Sequence, residues 1–137
     1  MTIKSYLAII ISIFILGCNS TNKLHSTCSK YKKGKFKLNS IIDDSYSIIT
    51  RNDSLQLEVN SKTGATLTAR IFWNGPCTYN LHYLNESTPS NDSLDNFINA
   101  GVLKIQILKA TSSYYVFEAT MEGVSIKYSD TIRVLKH

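Results

Sequence analysis

Several sequence marks of enzymes are missing from this 137-residue chain. It has no GxSxG, GxGxxG or P-loop motif, which argues against hydrolases, dinucleotide binders and nucleotide triphosphatases. His25, His82 and His137 lack the HxH or HExxH spacing of metal ligands. A site of His82 with Glu58 and Glu118 is conceivable on one polar strand face, but exposed strand charges are far commoner. No catalytic residue, metal or cofactor is predicted.

A long apolar run is also lacking. Residues 7–16 form a ten-residue apolar stretch interrupted by Ser12, which is too short for a membrane-spanning helix of about 20 residues. With Lys4 before it, the stretch suits a signal peptide. It ends in ILGC at residues 15–18, which resembles the bacterial lipobox. The resemblance implies cleavage after residue 17 and lipid on Cys18. The alternatives are an ordinary cleaved signal and a signal anchor.

Acidic residues are absent just after Cys18, where Asn19 follows. The known sorting signals for inner-membrane retention and surface display are therefore missing, and we expect an outer-membrane anchor facing the periplasm. The predicted organisation is a signal peptide at 1–17, a flexible lipidated tether at 18–29 and one domain at 30–137. Without the signal, 14 basic and 10 acidic side chains leave a net charge of +4. Nucleic acid is not expected as a partner in this compartment.

A run of lysines precedes the first acidic residue, Asp43. It consists of Lys23, Lys30, Lys32, Lys33, Lys35 and Lys37. Such a run can contact anionic lipid headgroups or other envelope polyanions. It can also be simply a solvated segment that keeps the domain off the bilayer, and we favour this second interpretation.

Cysteine is scarce, and one of the three is assigned to lipid. Cys28 and Cys77 remain in a compartment where disulfides persist. They form no CxxC motif, and two cysteines alone make no zinc site. The sequence therefore predicts a structural disulfide between Cys28 and Cys77, with free thiols as the alternative.

Alternation of apolar and polar residues dominates from Gly34 onward, and no strong long helix is indicated. About eight short segments alternate, for example Leu55, Leu57 and Val59 against Gln56 and Glu58. Residues 60–64 and Asn74-Gly75 are hairpin signals. The pattern lapses between residues 85 and 101, where a short helix around 94–98 or a long loop is expected. The predicted fold is all-β and antiparallel, a small barrel or a sandwich with apolar residues inward.

The first strand resembles that of lipocalins. Gly34-Lys35-Phe36 is similar to the Gly-x-Trp that opens those barrels, although Phe replaces Trp, and Arg133 is the candidate cation over the aromatic ring. The resemblance implies a lipocalin-like barrel of eight strands, which is either filled by side chains or holds one small ligand.

Three short segments match the Asp-Ser/Thr-aliphatic pattern of O-glycosylation in some Gram-negative bacteria. They are residues 53–55, 92–94 and 130–132. The pattern is short enough to recur by chance.

Residues 28–84 also resemble a group of small bacterial lipoproteins that often carry the automatic label "DNA topoisomerase IV". The shared features are Cys28 with Gly34-x-Phe36, the run RNDSxQxE at residues 51–58, and Trp73 followed by Cys77-x-Tyr79. Gly75-Pro76 stands where an acidic residue is expected. The function of that group is unknown, so the resemblance assigns no function to this chain. The topoisomerase label does not fit, because a lipid-anchored domain of this size cannot pass DNA strands.

We expect a lipid-anchored envelope protein that acts as a binding module for an envelope partner. The alternatives are a lipocalin-like carrier of a small apolar ligand and an inhibitor of a lysozyme-type hydrolase. The positive charge argues against the inhibitor, because lysozymes are usually basic and like charges slow association.

Overall fold

Eight antiparallel strands close into one barrel in the computed structural model, which describes residues 20–86, 101–125 and 127–136. The strands are β1 Gly34–Asn39, β2 Tyr46–Arg51, β3 Leu55–Asn60, β4 Thr66–Trp73, β5 Thr78–Glu86, β6 Leu103–Ala110, β7 Tyr114–Met121 and β8 Lys127–Val134. Each strand pairs with the next, and β1 closes the ring against β8 with Phe36 opposite Val134. The predicted all-β antiparallel fold is confirmed, and it is a barrel rather than a sandwich.

A helix, α1 Ser20–Cys28, and a 3₁₀ turn, Ser29–Tyr31, precede the barrel. The sequence predicted a flexible tether over residues 18–29, and the described part of it is helical. Leu24 packs against the core and Cys28 is fully buried. One leucine in nine residues produces no visible helical periodicity, so this contact could not be read from the pattern. Within the described residues, neither helix is long and apolar enough to cross a membrane.

Several predictions concern segments outside the described residues. These are the signal peptide at 1–17, lipid attachment at Cys18, the short helix around 94–98, the glycosylation pattern at 92–94, and His137.

The two ends of the barrel differ. At the end that we call the closed end, the Tyr31 hydroxyl donates to the carbonyls of Thr111 and Tyr114. These hydrogen bonds tie the 3₁₀ turn to the β6–β7 connection. Cys28 is bonded to Cys77 at the same end, with the Cα atoms 5.2 Å apart. The predicted disulfide is thus confirmed. Among the described residues, the opposite end, which we call the open end, carries the β1–β2, β3–β4 and β7–β8 connections.

The predicted apolar-inward alternation holds in β4 to β7 but is wrong for β3. Leu55 and Leu57 are each 40% exposed, whereas Gln56 is 2% exposed. The reason is the register between β2 and β3, which places Gln56 opposite Arg51. Arg51 points inward, and Gln56 faces it. Because side chains alternate along a strand, Glu58 follows Gln56 inward and the leucines turn outward.

Phe36 of the first strand packs against a cation, but this cation is Arg51 of β2 and not Arg133, so the predicted partner was wrong. The Arg51 guanidinium lies 5.1 Å from the Phe36 ring, and Arg133 is exposed on β8. Gly34 explains how the ring fits, because it adopts a φ of +134° and a Cβ there would lie 3.3 Å from Phe36 Cζ. The Gly-x-Phe run therefore seats Phe36 over the closed end, with a cation contributed by β2.

Candidate functional site

A cavity of about 550 Å³ occupies the barrel interior towards the open end. Much of its wall is aliphatic or aromatic, and side chains of seven strands contribute to it. The main apolar lining residues are Leu38, Ile49, Leu81, Ile105, Phe117 and Ile132. The polar lining residues are Gln56, Glu58, Tyr79, Tyr83 and Tyr128. The volume lies in the range of small-molecule sites, about 300–1,000 Å³.

Arg51 forms the floor beneath the cavity and is 3% exposed. Its Nε and Nη2 atoms donate to Gln56 Oε1 at 2.8 and 2.6 Å, and Nη1 donates to the Tyr31 carbonyl at 2.9 Å. Nη2 also lies 3.1 Å from the hydroxyls of Tyr79 and Tyr115. A buried guanidinium stays protonated and needs its donors satisfied. Arg51 therefore fastens the turn, two tyrosines and β3 together.

Gln56 connects this floor to the cavity wall. Its Oε1 atom accepts two hydrogen bonds from Arg51, so its Nε2 atom is turned away and donates to Glu58 Oε1 at 2.6 Å. Tyr83 forms a second hydrogen bond with Glu58. A cation and an anion are thus linked through one amide without direct contact.

Burial governs the protonation of this cluster. Burial raises the pKa of the Glu58 carboxyl above its ordinary value. Hydrogen bonds from Gln56 and Tyr83 and the charge of Arg51 oppose this rise without cancelling it. Burial also raises the pKa of the Tyr83 hydroxyl well above its ordinary value, and the charge of Glu58 raises it further. Tyr83 therefore keeps its proton and donates a hydrogen bond to the Glu58 carboxyl group.

The conceivable site of His82 with Glu58 and Glu118 does not form. His82 is exposed on the outer face, where its ring packs edge-on against Phe72 at 5.0 Å. Glu58 lies on the inner face, and Glu118 is paired with Lys127 at 3.0 Å. Among the residues that the structure describes, no group of three or more His, Cys, Asp or Glu side chains could hold a metal ion.

The lysine run spreads over the outer surface of the barrel rather than lining the cavity. Lys33 pairs with Asp53 at 2.7 Å, and both side chains are mostly exposed. The Lys37 ammonium lies 4.0 Å from the Tyr46 ring centroid. Exposed pairs of this kind contribute little to stability, about 0–1 kcal/mol. These lysines are therefore available to solvent, and their proposed role in spacing the domain from the bilayer stays a prediction.

Two of the glycosylation patterns are described. Ser54 is exposed in the connection between β2 and β3, whereas Thr131 is half-buried within β8. Only the first therefore presents its hydroxyl-bearing residue in an exposed loop, among the two patterns in the described ranges.

The chain matches no family model, no curated protein and no solved structure. The cavity residues must therefore be interpreted from their own geometry. Sequence reasoning did not select Tyr31, Gln56 or Tyr83 as site residues, and it placed Glu58 on the outer face. The available signal was the RNDSxQxE run, which contains Arg51, Gln56 and Glu58 and is the segment that carries the polar cluster.

Proposed function

We propose that this protein is a non-enzymatic binding module that holds one small, largely apolar ligand inside its barrel. The observation that supports this proposal is the 550 Å³ cavity with its apolar wall. That volume equals about 18 water molecules at roughly 30 Å³ each, which suits a compact ligand rather than a protein segment. The carrier function, an alternative at the level of sequence, therefore becomes our first choice.

The closed end supports this function because buried aromatic side chains fill it. Tyr31, Phe36 and Tyr115 are each at most 2% exposed and pack with ring centroids 4.7–6.3 Å apart. Arg51 satisfies the polar groups around them. The ligand would therefore enter from the open end, because this buried aromatic cluster fills the closed end of the barrel.

We further propose that the module is attached to the cell envelope through lipid on Cys18, at the outer membrane facing the periplasm. The lipobox-like ILGC run and the resemblance to small bacterial lipoproteins support this proposal. The confirmed Cys28–Cys77 disulfide agrees with an oxidising compartment.

Filling the cavity tests the ligand-binding proposal. The protein is purified as cells make it and held in zwitterionic lipid nanodiscs, with protein-free nanodiscs as the blank. Calorimetry measures binding of 2-(1-naphthyl)ethanol to three forms: wild type, Ala119→Phe and Thr120→Phe. Ala119 lines the cavity, whereas Thr120 lies on the outer face of the same strand.

We expect Ala119→Phe to weaken binding by at least about tenfold, because the added ring occupies the ligand's space. Thr120→Phe should bind as wild type does. Absence of binding to wild type, or equal weakening by both substitutions, would contradict the proposal.

A further inference from the structure

Glu58 is the charged side chain of the cavity wall, and among the described lining residues no other side chain carries a charge. Its carboxylate is separated from Arg51 by the Gln56 amide, whose oxygen faces the guanidinium and whose nitrogen faces the carboxylate. Arg51 therefore lowers the cost of burying Glu58 without covering it. The carboxyl group is left at the surface of the cavity, where its oxygens can accept hydrogen bonds from a ligand.

The acceptor capacity of Glu58 exceeds the donors that the cluster supplies. An ionised carboxylate offers about four acceptor positions. Gln56 and Tyr83 each provide one hydrogen bond. A ligand that brings hydrogen-bond donors and positive charge complements what remains.

Aromatic side chains reinforce this preference. Tyr79, Tyr83, Phe117 and Tyr128 line the same cavity as Glu58. The faces of aromatic rings attract cations, and the attraction is strongest where water is excluded. The cavity thus combines one carboxylate with an aromatic surround.

An anionic head group finds no matching partner. The one cation near the cavity is Arg51 among the residues described, and its donors are directed at Gln56, Tyr31, Tyr79 and Tyr115. A carboxylate ligand would instead meet the carboxylate of Glu58, and like charges in a low-dielectric site repel strongly.

From these contacts we infer that the ligand carries an ammonium group, which is bound by Glu58 while its apolar body fills the rest of the barrel. This inference rests on the proposed ligand-binding function and specifies the class of ligand. The ligand is an apolar amine rather than a fatty acid or a neutral hydrocarbon.

The test compares 2-(1-naphthyl)ethylamine with 2-(1-naphthyl)ethanol, which have the same body and differ in the terminal group. Both are titrated by calorimetry at neutral pH into the nanodisc-held protein. The variants are Glu58→Gln and, as a matched control, Glu118→Gln, which removes an equal charge from the outer surface of the barrel.

We expect wild type to bind the amine at least about tenfold more tightly than the alcohol, as a charge-assisted hydrogen bond would produce. Glu58→Gln should abolish this preference, so that the variant binds the amine and the alcohol with equal affinity. Glu118→Gln should preserve it, because its distant charge is screened by salt.

Equal affinity of wild type for the two probes would overturn the ammonium inference while leaving the ligand-binding function standing. If neither probe binds, both proposals fail. The wild-type comparison decides the question even if Glu58→Gln does not fold, and a preference retained in a folded Glu58→Gln protein would also overturn the inference.

Discussion

Arg51 connects more parts of this molecule than its place at the end of β2 suggests. It contacts the 3₁₀ turn through Tyr31, the neighbouring strand through Gln56, and distant strands through Tyr79 and Tyr115. Since each of these partners is buried, loss of the guanidinium would leave several polar groups unsatisfied at once. The closed end and the polar wall of the cavity therefore depend on the same side chain.

Arg51→Met should lower the free energy of unfolding by about 3–5 kcal/mol, because it also leaves the buried Glu58 charge uncompensated. Urea unfolding followed by the fluorescence of Trp73, the one tryptophan in the sequence, measures this loss. Arg133→Met is the control, and this exposed arginine should change stability by no more than about 0.5 kcal/mol. Equal losses in the two variants would show that the Arg51 cluster contributes nothing special.

The raised pKa of Glu58 predicts that the free energy of unfolding depends on pH. Its pKa is raised above the ordinary 4.5, chiefly by burial. Between pH 4.5 and the raised pKa, the folded protein holds a proton that the unfolded chain has lost. The free energy of unfolding should therefore fall as pH rises through this window. Its neighbours Arg51 and Tyr83 keep their protons in this window, and Gln56 does not titrate.

Glu58→Gln lacks this titration, so its stability relative to wild type should increase from pH 4.5 upward and then level off. Urea unfolding of both proteins at several pH values measures the difference, in which all other titrating groups cancel. A difference that stays constant with pH would be contrary to a raised pKa.

At the scale of elements, α1 and the 3₁₀ turn are part of the closed end rather than a leader to it. Tyr31 bonds to the β6–β7 connection, and Cys28 is bonded to the β4–β5 connection. Residues 28–33 thus contact all three strand connections at this end. The contact with the β2–β3 connection is the Lys33–Asp53 ion pair. These contacts hold the closed end of the barrel together.

Replacing both Cys28 and Cys77 with Ser should lower the free energy of unfolding by about 4 kcal/mol, the value that chain entropy suggests for a closed loop of about 50 residues. Urea unfolding midpoints of the oxidised wild type and the double variant measure the loss. Reduced wild type is the control and should behave like the double variant. An unchanged midpoint would show that the disulfide does not stabilise the fold.

At the scale of the whole molecule, the two halves of the barrel differ. The half towards the open end contains the apolar cavity, and the closed half contains the Arg51 cluster and the buried aromatic rings. The apolar wall encloses space that side chains fill in a solid core, and under our proposal a ligand takes their place. An eight-stranded barrel is wide enough for either outcome, and in this protein the open half retains the space.

Cys18→Ser tests the proposed attachment of the whole molecule to the envelope. We expect the wild-type protein to carry two or three acyl chains and to fractionate with the outer membrane, since each buried methylene contributes about 0.8 kcal/mol. The variant should lack the acyl mass by mass spectrometry. Wild type without acyl mass would exclude the lipoprotein proposal. Acyl chains on both forms would show that the lipid is attached to a residue other than Cys18.

The sequence alone determined the class of fold and the disulfide that links the N-terminal segment to the barrel. Alternation such as Tyr115, Phe117 and Ala119 predicted a strand face that the structure buries. The pairing of Cys28 with Cys77 followed from the small number of cysteines. Alternation is a local property of each strand, and the disulfide follows from the number of cysteines. Both can therefore be predicted without knowing which strands are neighbours.

The tertiary structure alone decided which face of β3 is inside and whether the barrel has a cavity. By pattern, Leu57 should be buried in preference to Glu58, but a buried Arg51 on the adjacent strand requires Gln56 opposite it. That requirement involves Tyr31, Tyr79 and Tyr115, which are distant in sequence and meet only when the barrel closes. The cavity likewise depends on side chains from seven strands, and alternation specifies their direction but not the volume left between them.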